Sequence, residues 1–233
     1  MMNASEVRVV LVRPIYSSNV GLICRVMKNF GFNDLVIVQP ARRNVKTKTA
    51  YMYAKHSKEV LENARVVRTL DDAVSDRQLV VGTTGMPQRF HRQLKQCIPL
   101  SALRNRLSGN VALVFGSEGS GLNEAETNAC DVLVYVPTSV EHPVLNVSHA
   151  VAVVLHAVSE IPWSQESAAA SIQARRVLEK KFGALIADAD RIKDKKKVTL
   201  AFRKILSKAQ PTFDEVRTLM AGLAGLEKRR PKP

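Results

Sequence analysis

The chain has 233 residues, 45% of them hydrophobic. That suffices for one large domain, or a medium domain with a small companion, and excludes wholesale disorder. Its 35 Lys and Arg against 21 Asp and Glu give a formal charge of +14 and a pI near 10, which points to a polyanionic partner such as nucleic acid. Cys24, Cys97 and Cys130 lie far apart without a CxxC pair, no apolar run approaches the ~18 residues of a membrane span, and no signal-peptide layout opens the chain; a reduced, cytoplasmic protein is expected, with no metal site and no membrane partner.

Val7–Val12 (VRVVLV) reads as the first strand, closed by Arg13-Pro14. Ser18–Phe30 reads as a helix, with Val20, Ile23, Met27 and Phe30 at three-to-four spacing, Ser18 or Asn19 as its cap and Gly31 past its end. Leu35–Val38 is a second strand, and Arg65–Val67 a weaker one. Thr47–Ser57 and Leu70–Ser75 look like short helices. Gln78–Val81 ends at Gly82, Val111–Phe115 at Gly116, and Val132–Val136 at Pro137. Asn123–Ala129 and the strongly apolar Asn146–Glu160 read as helices. Continuous apolar runs without strict alternation suit strands buried on both faces. Alternating with helices, they predict an α/β fold with a mostly parallel sheet.

After Trp163 the composition changes. Ser164–Ala170 is small and polar, a linker, and the stretch from 164 to 233 carries 17 basic against 8 acidic residues. Helices are expected at Ile172–Ala187, Val198–Ala209 and Thr212–Glu227, with Lys193–Lys197 (KDKKK) between the first two. Thr212-Phe-Asp-Glu215 behind Pro211 is a capping-box pattern. The expected division is a domain over residues 1–163 and a basic helical extension over 164–233.

Four stretches could carry chemistry. Asn19-Val-Gly21-Leu-Ile-Cys-Arg25 places a polar side chain, a glycine and an arginine on the helix after the first strand. Val81-Gly82-Thr83-Thr84-Gly85 sits at a strand's carboxyl end, the usual side for ligands in α/β sheets. Arg89-Phe-His91-Arg92 follows it, a basic loop with an aromatic residue, suited to phosphates and bases. Gly116-Ser-Glu118-Gly119-Ser-Gly121-Leu122 follows a later strand, and its glycines let the main chain wrap a ligand closely. It does not match GxGxxG, and a carboxylate at 118 disfavours a pyrophosphate, so ordinary dinucleotide binding is not indicated. Val136-Pro137 leads through a polar loop to Val144-Leu145-Asn146-Val147-Ser148, where a helix begins. Taken singly, each is also what a cap, a tight turn or a solvated face looks like. His142, His149 and His156 come without HExxH spacing or a carboxylate cluster.

In this order the four stretches resemble the TrmH branch of the SPOUT RNA methyltransferases, and within it the TrmJ group. The resemblance covers about residues 6–160, and the basic helical tail is similar to the carboxyl-terminal extension of that group. It implies a sheet whose carboxyl end is threaded into a deep trefoil knot, something that composition and periodicity do not show. It implies an S-adenosylmethionine-dependent enzyme acting on the ribose 2′-hydroxyl of tRNA at nucleotide 32 of the anticodon loop, working as a homodimer. Carried over residue by residue, Thr83, Thr84, Gly85, Gly116, Glu118, Gly119, Val136, Val144, Leu145 and Asn146 lie along the cofactor. Asn19 and Arg25 match the motif asparagine and the motif arginine beside the reacting ribose. Arg25 would serve either as base or as the group that binds the neighbouring phosphate and stabilises a developing alkoxide. Many relatives have Ser-Leu-Asn where this chain has Val144-Leu145-Asn146, so a serine hydroxyl is missing at 144. Arg42, Arg43, Arg89 and Arg92 belong to basic clusters suited to RNA. The rival readings are a ribose methyltransferase for rRNA or another tRNA position, and a non-catalytic RNA-binding protein of the same fold.

Overall fold

The computed structural model describes residues 6–40, 45–90, 97–107, 109–161, 169–189 and 191–228. Within them the chain divides into two compact units, 1–166 and 167–233. The expected linker 164–170 lies mostly outside the described residues.

The first unit is built on a seven-stranded parallel sheet in the order β3-β2-β1-β6-β4-β7-β5. The strands are β1 (Val7–Val12), β2 (Asp34–Val38), β3 (Arg65–Val67), β4 (Leu79–Thr83), β5 (Cys97–Pro99), β6 (Val111–Phe115) and β7 (Val132–Tyr135). β1 and β6 form the centre, and every residue of both is buried. This is why their sequences run apolar without alternation: helices cover both faces. The chain steps outward through β2 and β3, crosses over to β4, and then inserts β6 between β1 and β4. Such a reversal of strand order opens a crevice at the carboxyl edge. The order is consistent with the knotted carboxyl end that the family resemblance implies.

Arg8 is the exception inside the β1 run. It is buried, and its guanidinium donates to Asp34 (2.8 Å), to both carboxylate oxygens of Asp76 (2.6 and 3.1 Å) and to the carbonyl of Ala73 (2.8 Å). A charge in a core persists only when paired in this way.

Helix α1 (Ser17–Asn29) follows β1. Its N-cap is Tyr16, without a side-chain cap, so neither Ser18 nor Asn19 caps it as expected. Gly21 lies where α1 meets α2 (Lys48–Tyr53). A Cβ there would stand 2.3 Å from the Ala50 carbonyl oxygen and 2.8 Å from Tyr53 Cβ. The helix expected over Thr47–Ser57 ends early, at Tyr53, and a further helix that was not expected follows beyond Ser57. α2 is capped by Thr47 and ends at Tyr53, His56 takes a left-handed φ of 64°, and α3 runs Lys58–Asn63. α4 (Leu70–Val74), α5 (Glu124–Ala129) and α6 (Val147–Ser159) lie close to their expected places. The strand β5 and two 3-10 segments, Pro87–Phe90 and Leu100–Arg106, were not anticipated.

The second unit holds α7 (Ile172–Ala187), α8 (Lys195–Ala209) and α9 (Phe213–Lys228). Ala170, Leu178, Leu206 and Val216 are its buried centre, and the Phe182 and Phe202 rings stack at 3.9 Å. α8 starts three residues before the expected Val198. Asp194 caps it by accepting from the Lys197 N–H, which draws the lysine run into its first turn. The Thr212/Glu215 capping box opens α9 as the sequence suggested. Among the described residues no helix is long and apolar enough to cross a membrane.

Candidate active site

Three strand ends meet around a cavity of about 470 Å³. Thr83, Thr84 and Gly85 come from the end of β4, Phe115 and the Gly116–Leu122 turn from β6, and Val134 and Val136 from β7. Val144, Leu145 and Val147 enter from the segment that begins α6. The volume suits a ligand the size of a nucleoside cofactor.

The turn after β6 is shaped by backbone demands. Ser117 and Gly121 form a bridge closed by a 2.8 Å hydrogen bond from the Gly121 N–H to the Ser117 carbonyl, and Gly121 has φ of 65°. A Cβ on Gly116 would lie 2.2 Å from the Gly121 carbonyl carbon, so only glycine lets the turn fold back on its own strand. Gly119 at the tip meets nothing closer than Ile15 Cδ1 at 3.9 Å.

Glu118 reaches out of this turn to α1. Its carboxylate accepts from the Ile15 N–H (2.9 Å), the Tyr16 N–H (3.3 Å) and Asn19 Nδ2 (2.9 Å). Helix α1 has no side-chain cap of its own, and this carboxylate stands at its amino end, where a negative charge is favourable. Asn19, buried, also meets Asn146 Nδ2 through its oxygen at 3.4 Å. Asn19, Glu118, Gly116 and Val147 together line a small second pocket.

Nine of the ten residues expected along a cofactor line the large cavity: Thr83, Thr84, Gly85, Gly116, Glu118, Gly119, Val136, Val144 and Leu145. The tenth, Asn146, is the N-cap of α6; its oxygen accepts from the Ser148 N–H and from Ser148 Oγ, both at 2.8 Å. Arg25 lines neither pocket. It is exposed and, among the described residues, makes no hydrogen bond or ion pair. From Asn19 it stands about 9 Å along α1 and about 120° round it. Arg42, Arg43 and Arg92 lie outside the described residues, as does the side chain of Arg89, whose backbone belongs to the 3-10 segment Pro87–Phe90.

Sequence reasoning passed over Arg13, naming it only as a strand end. It takes a left-handed φ of 52°, and its guanidinium grips the Glu126 carboxylate through Nε (2.8 Å) and Nη2 (2.7 Å). A polar residue at the carboxyl end of the central strand was the available signal. The cysteines take no part in the site: Cys24 is fully buried, and burial pushes its thiol up to about 12.

The SpoU rRNA methylase family model matches residues 6–156. The chain belongs to that family. A tRNA (cytidine-2'-O-)-methyltransferase, TrmJ of Methanocaldococcus jannaschii, is 36% identical to this SpoU methylase over 92% of the chain and 97% of its own length. The crystal structure of TrmJ from Z. mobilis ZM4 superposes with a TM-score of 0.80 at 26% identity, covering 94% of this chain and 98% of that one. The SpoU methyltransferase AviRb from Streptomyces viridochromogenes, solved in complex with the cofactor AdoMet, shares the fold at a TM-score of 0.54 and 19% identity, over 68% of this chain and 61% of its own. This SpoU methylase is a methyltransferase. The cavity suits S-adenosylmethionine. Its walls are apolar at Phe115, Leu122, Val134, Val136, Val144 and Leu145. Among the described residues, the N–H groups of Glu118, Gly119 and Ser120 in its wall have no protein partner. An apolar slot edged by free main-chain donors is the ordinary way to hold a nucleoside.

Proposed function

We propose that the chain methylates the ribose 2′-hydroxyl of tRNA, at nucleotide 32 of the anticodon loop, and does so as a homodimer. The observation that carries the reading is the convergence of the β4, β6 and β7 ends with Val144-Leu145 on one cavity. It is supported by 36% identity to a tRNA 2′-O-methyltransferase over nearly the whole chain. S-adenosylmethionine supplies a methyl group made electrophilic by its sulfonium. Thr83, Thr84, Gly85, the Gly116–Leu122 turn, Val136, Val144 and Leu145 hold it. Val144 offers no hydroxyl, so its part is apolar contact and main-chain hydrogen bonding.

A neutral alcohol is a weak nucleophile and must be oriented and helped to lose its proton. Arg25 binds the phosphate beside the reacting ribose and stabilises the alkoxide that develops as the methyl passes from sulfur to the 2′-oxygen and the hydroxyl proton leaves to solvent water, since a guanidinium is too reluctant to deprotonate to serve readily as a base. Its exposure, and its turn away from Asn19, fit a site completed by Arg25 of the partner subunit. Asn19 holds the amino end of α1 to the cavity wall through Glu118. The formal charge of +14 suits a folded polyanion. Arg42, Arg43, Arg89 and Arg92 are proposed as contacts to its phosphates.

The test is transfer of labelled methyl from S-adenosylmethionine to unmodified tRNA, with the modified nucleotide mapped and Arg25→Ala run in parallel. Methyl at nucleotide 32, abolished in the variant while cofactor binding persists, is the expected result. Methyl elsewhere keeps the class and moves the target. Cofactor binding without transfer points to a different RNA, and loss of both to a binding protein.

A further inference from the structure

The far end of the glycine turn that walls the cavity is tied down from outside by an arginine. Arg13 directly follows β1, and its N–H bonds the Val38 carbonyl at 2.8 Å, which fixes its backbone to β2. Its guanidinium spans the far end of the turn. Nη2 donates to the Gly121 carbonyl (3.1 Å), Nη1 reaches Ser120 Oγ (3.5 Å), and the fork closes on both oxygens of Glu126. Glu126 in turn accepts from the Asn123 N–H (2.7 Å), so the same carboxylate holds the start of α5. The side chain of Glu126 is largely buried and that of Arg13 partly so. A bidentate, partly desolvated pair of this kind is stronger and more directional than an exposed ion pair. Arg13 does not itself line the cavity.

We propose that Arg13 is a positioning residue for cofactor binding, holding the Ser117–Gly121 turn in its binding shape through Gly121 and Glu126. The inference rests on the cavity being the cofactor site. A turn with three glycines in six residues has much conformational freedom to lose. Left unheld, that ordering would fall on the ligand and weaken it; preorganised, it does not. The left-handed backbone of Arg13 is consistent with such a role, since a non-glycine residue persists there only when its surroundings over-determine it. Glu118 ties the near side of the turn to α1 in the opposite sense. Residues 13–19 and 118–126 are thereby laced by a cation from one side and an anion from the other.

The test compares wild type with Arg13→Asn and Arg13→Lys, using S-adenosylhomocysteine in calorimetric titration and methyl transfer to unmodified tRNA. Asparagine tolerates the left-handed backbone, so it removes the guanidinium without adding strain. Arg13→Asn is expected to weaken S-adenosylhomocysteine tenfold or more and to raise the KM for the cofactor alike, while kcat at saturating cofactor stays within about twofold. Arg13→Lys, which keeps the charge and loses the fork, should fall between, and it carries the test alone if Arg13→Asn does not fold. Unchanged affinity in a folded variant overturns the proposal, as does a drop in kcat with KM unchanged. Failure of the wild type to bind S-adenosylhomocysteine is a different outcome, and it would overturn the cofactor reading itself.

Discussion

At the residue scale, the three glycines of the turn after β6 do different work. Gly116 has backbone atoms of Gly121 and Leu122 where its Cβ would be, and backbone cannot swing aside. Gly116→Ala should therefore destabilise the fold by about 1–3 kcal/mol, as overpacking does, and spoil the cavity wall. A Cβ on Gly119 would make only an ordinary van der Waals contact, with Ile15 Cδ1 at 3.9 Å. Gly119→Ala should leave stability within about 0.5 kcal/mol, yet weaken the cofactor if this glycine lies against it as proposed. Urea unfolding beside cofactor titration separates the two, and equal destabilisation by both would contradict the distinction. The sequence marked these glycines together, because glycine spacing shows where the main chain must be free but not what crowds it. The same limit applies to Glu118, whose carboxylate looked misplaced in a ligand loop. Its partners are the N–H groups of Ile15 and Tyr16, about a hundred residues away. Such pairings are set by the strand order and leave no local trace.

At the scale of elements, the central strands and the helix that follows each were legible because burial on both faces forces a continuous apolar run. What escaped were the pieces that burial does not pattern. β5 has three residues. The α2–α3 break turns on one left-handed His56, a conformation nothing in histidine announces. α8 begins on three lysines against its own dipole, and Asp194 alone compensates. The Arg8 knot under β1, β2 and α4 is likewise invisible locally. Burial opposes ionisation of Asp76, but hydrogen bonds from Arg77 and Arg8 outweigh it and hold its carboxyl well below the usual carboxylate range. A carboxyl that binds its proton more weakly folded than unfolded adds stability above its unfolded pKa, near 4, and gives it up as pH falls below that toward the folded value. The urea midpoint should thus drop between about pH 4 and pH 2, and Asp76→Asn should flatten that limb while lowering stability at pH 7. Since half of the Asp76 side chain meets solvent, the effect is modest. An unchanged acid limb in the variant would assign acid sensitivity elsewhere.

For the whole molecule, charge is unevenly spread. The stretch from 164 to 233 holds 17 basic and 8 acidic residues, so it carries most of the excess. We read it as a separate RNA-binding extension. It has its own small core of Ala170, Leu178, Leu206 and Val216, and the first unit keeps the entire cavity. A chain ending at residue 166 should bind the cofactor within about twofold of the full chain. It should bind tRNA at least tenfold more weakly at physiological salt, with a shallower dependence of log K on log salt, because fewer counterions are released. Equal tRNA affinity for both would place the RNA surface wholly on the first unit.

The seam at Gly21 has one more consequence. With the Ala50 carbonyl oxygen seated where a side chain would begin, α1 is keyed against α2 like a shaft in a slot. It cannot roll without driving backbone into backbone. Arg25 sits one turn further along the same rod. At the outer radius of a helix, a roll of about 10° would swing a side-chain tip by roughly 1 Å; in the role proposed for Arg25, that error is large enough to cost the reaction about a hundredfold in rate. The bearing of the arginine is therefore set by a residue that has no side chain at all, before any RNA arrives.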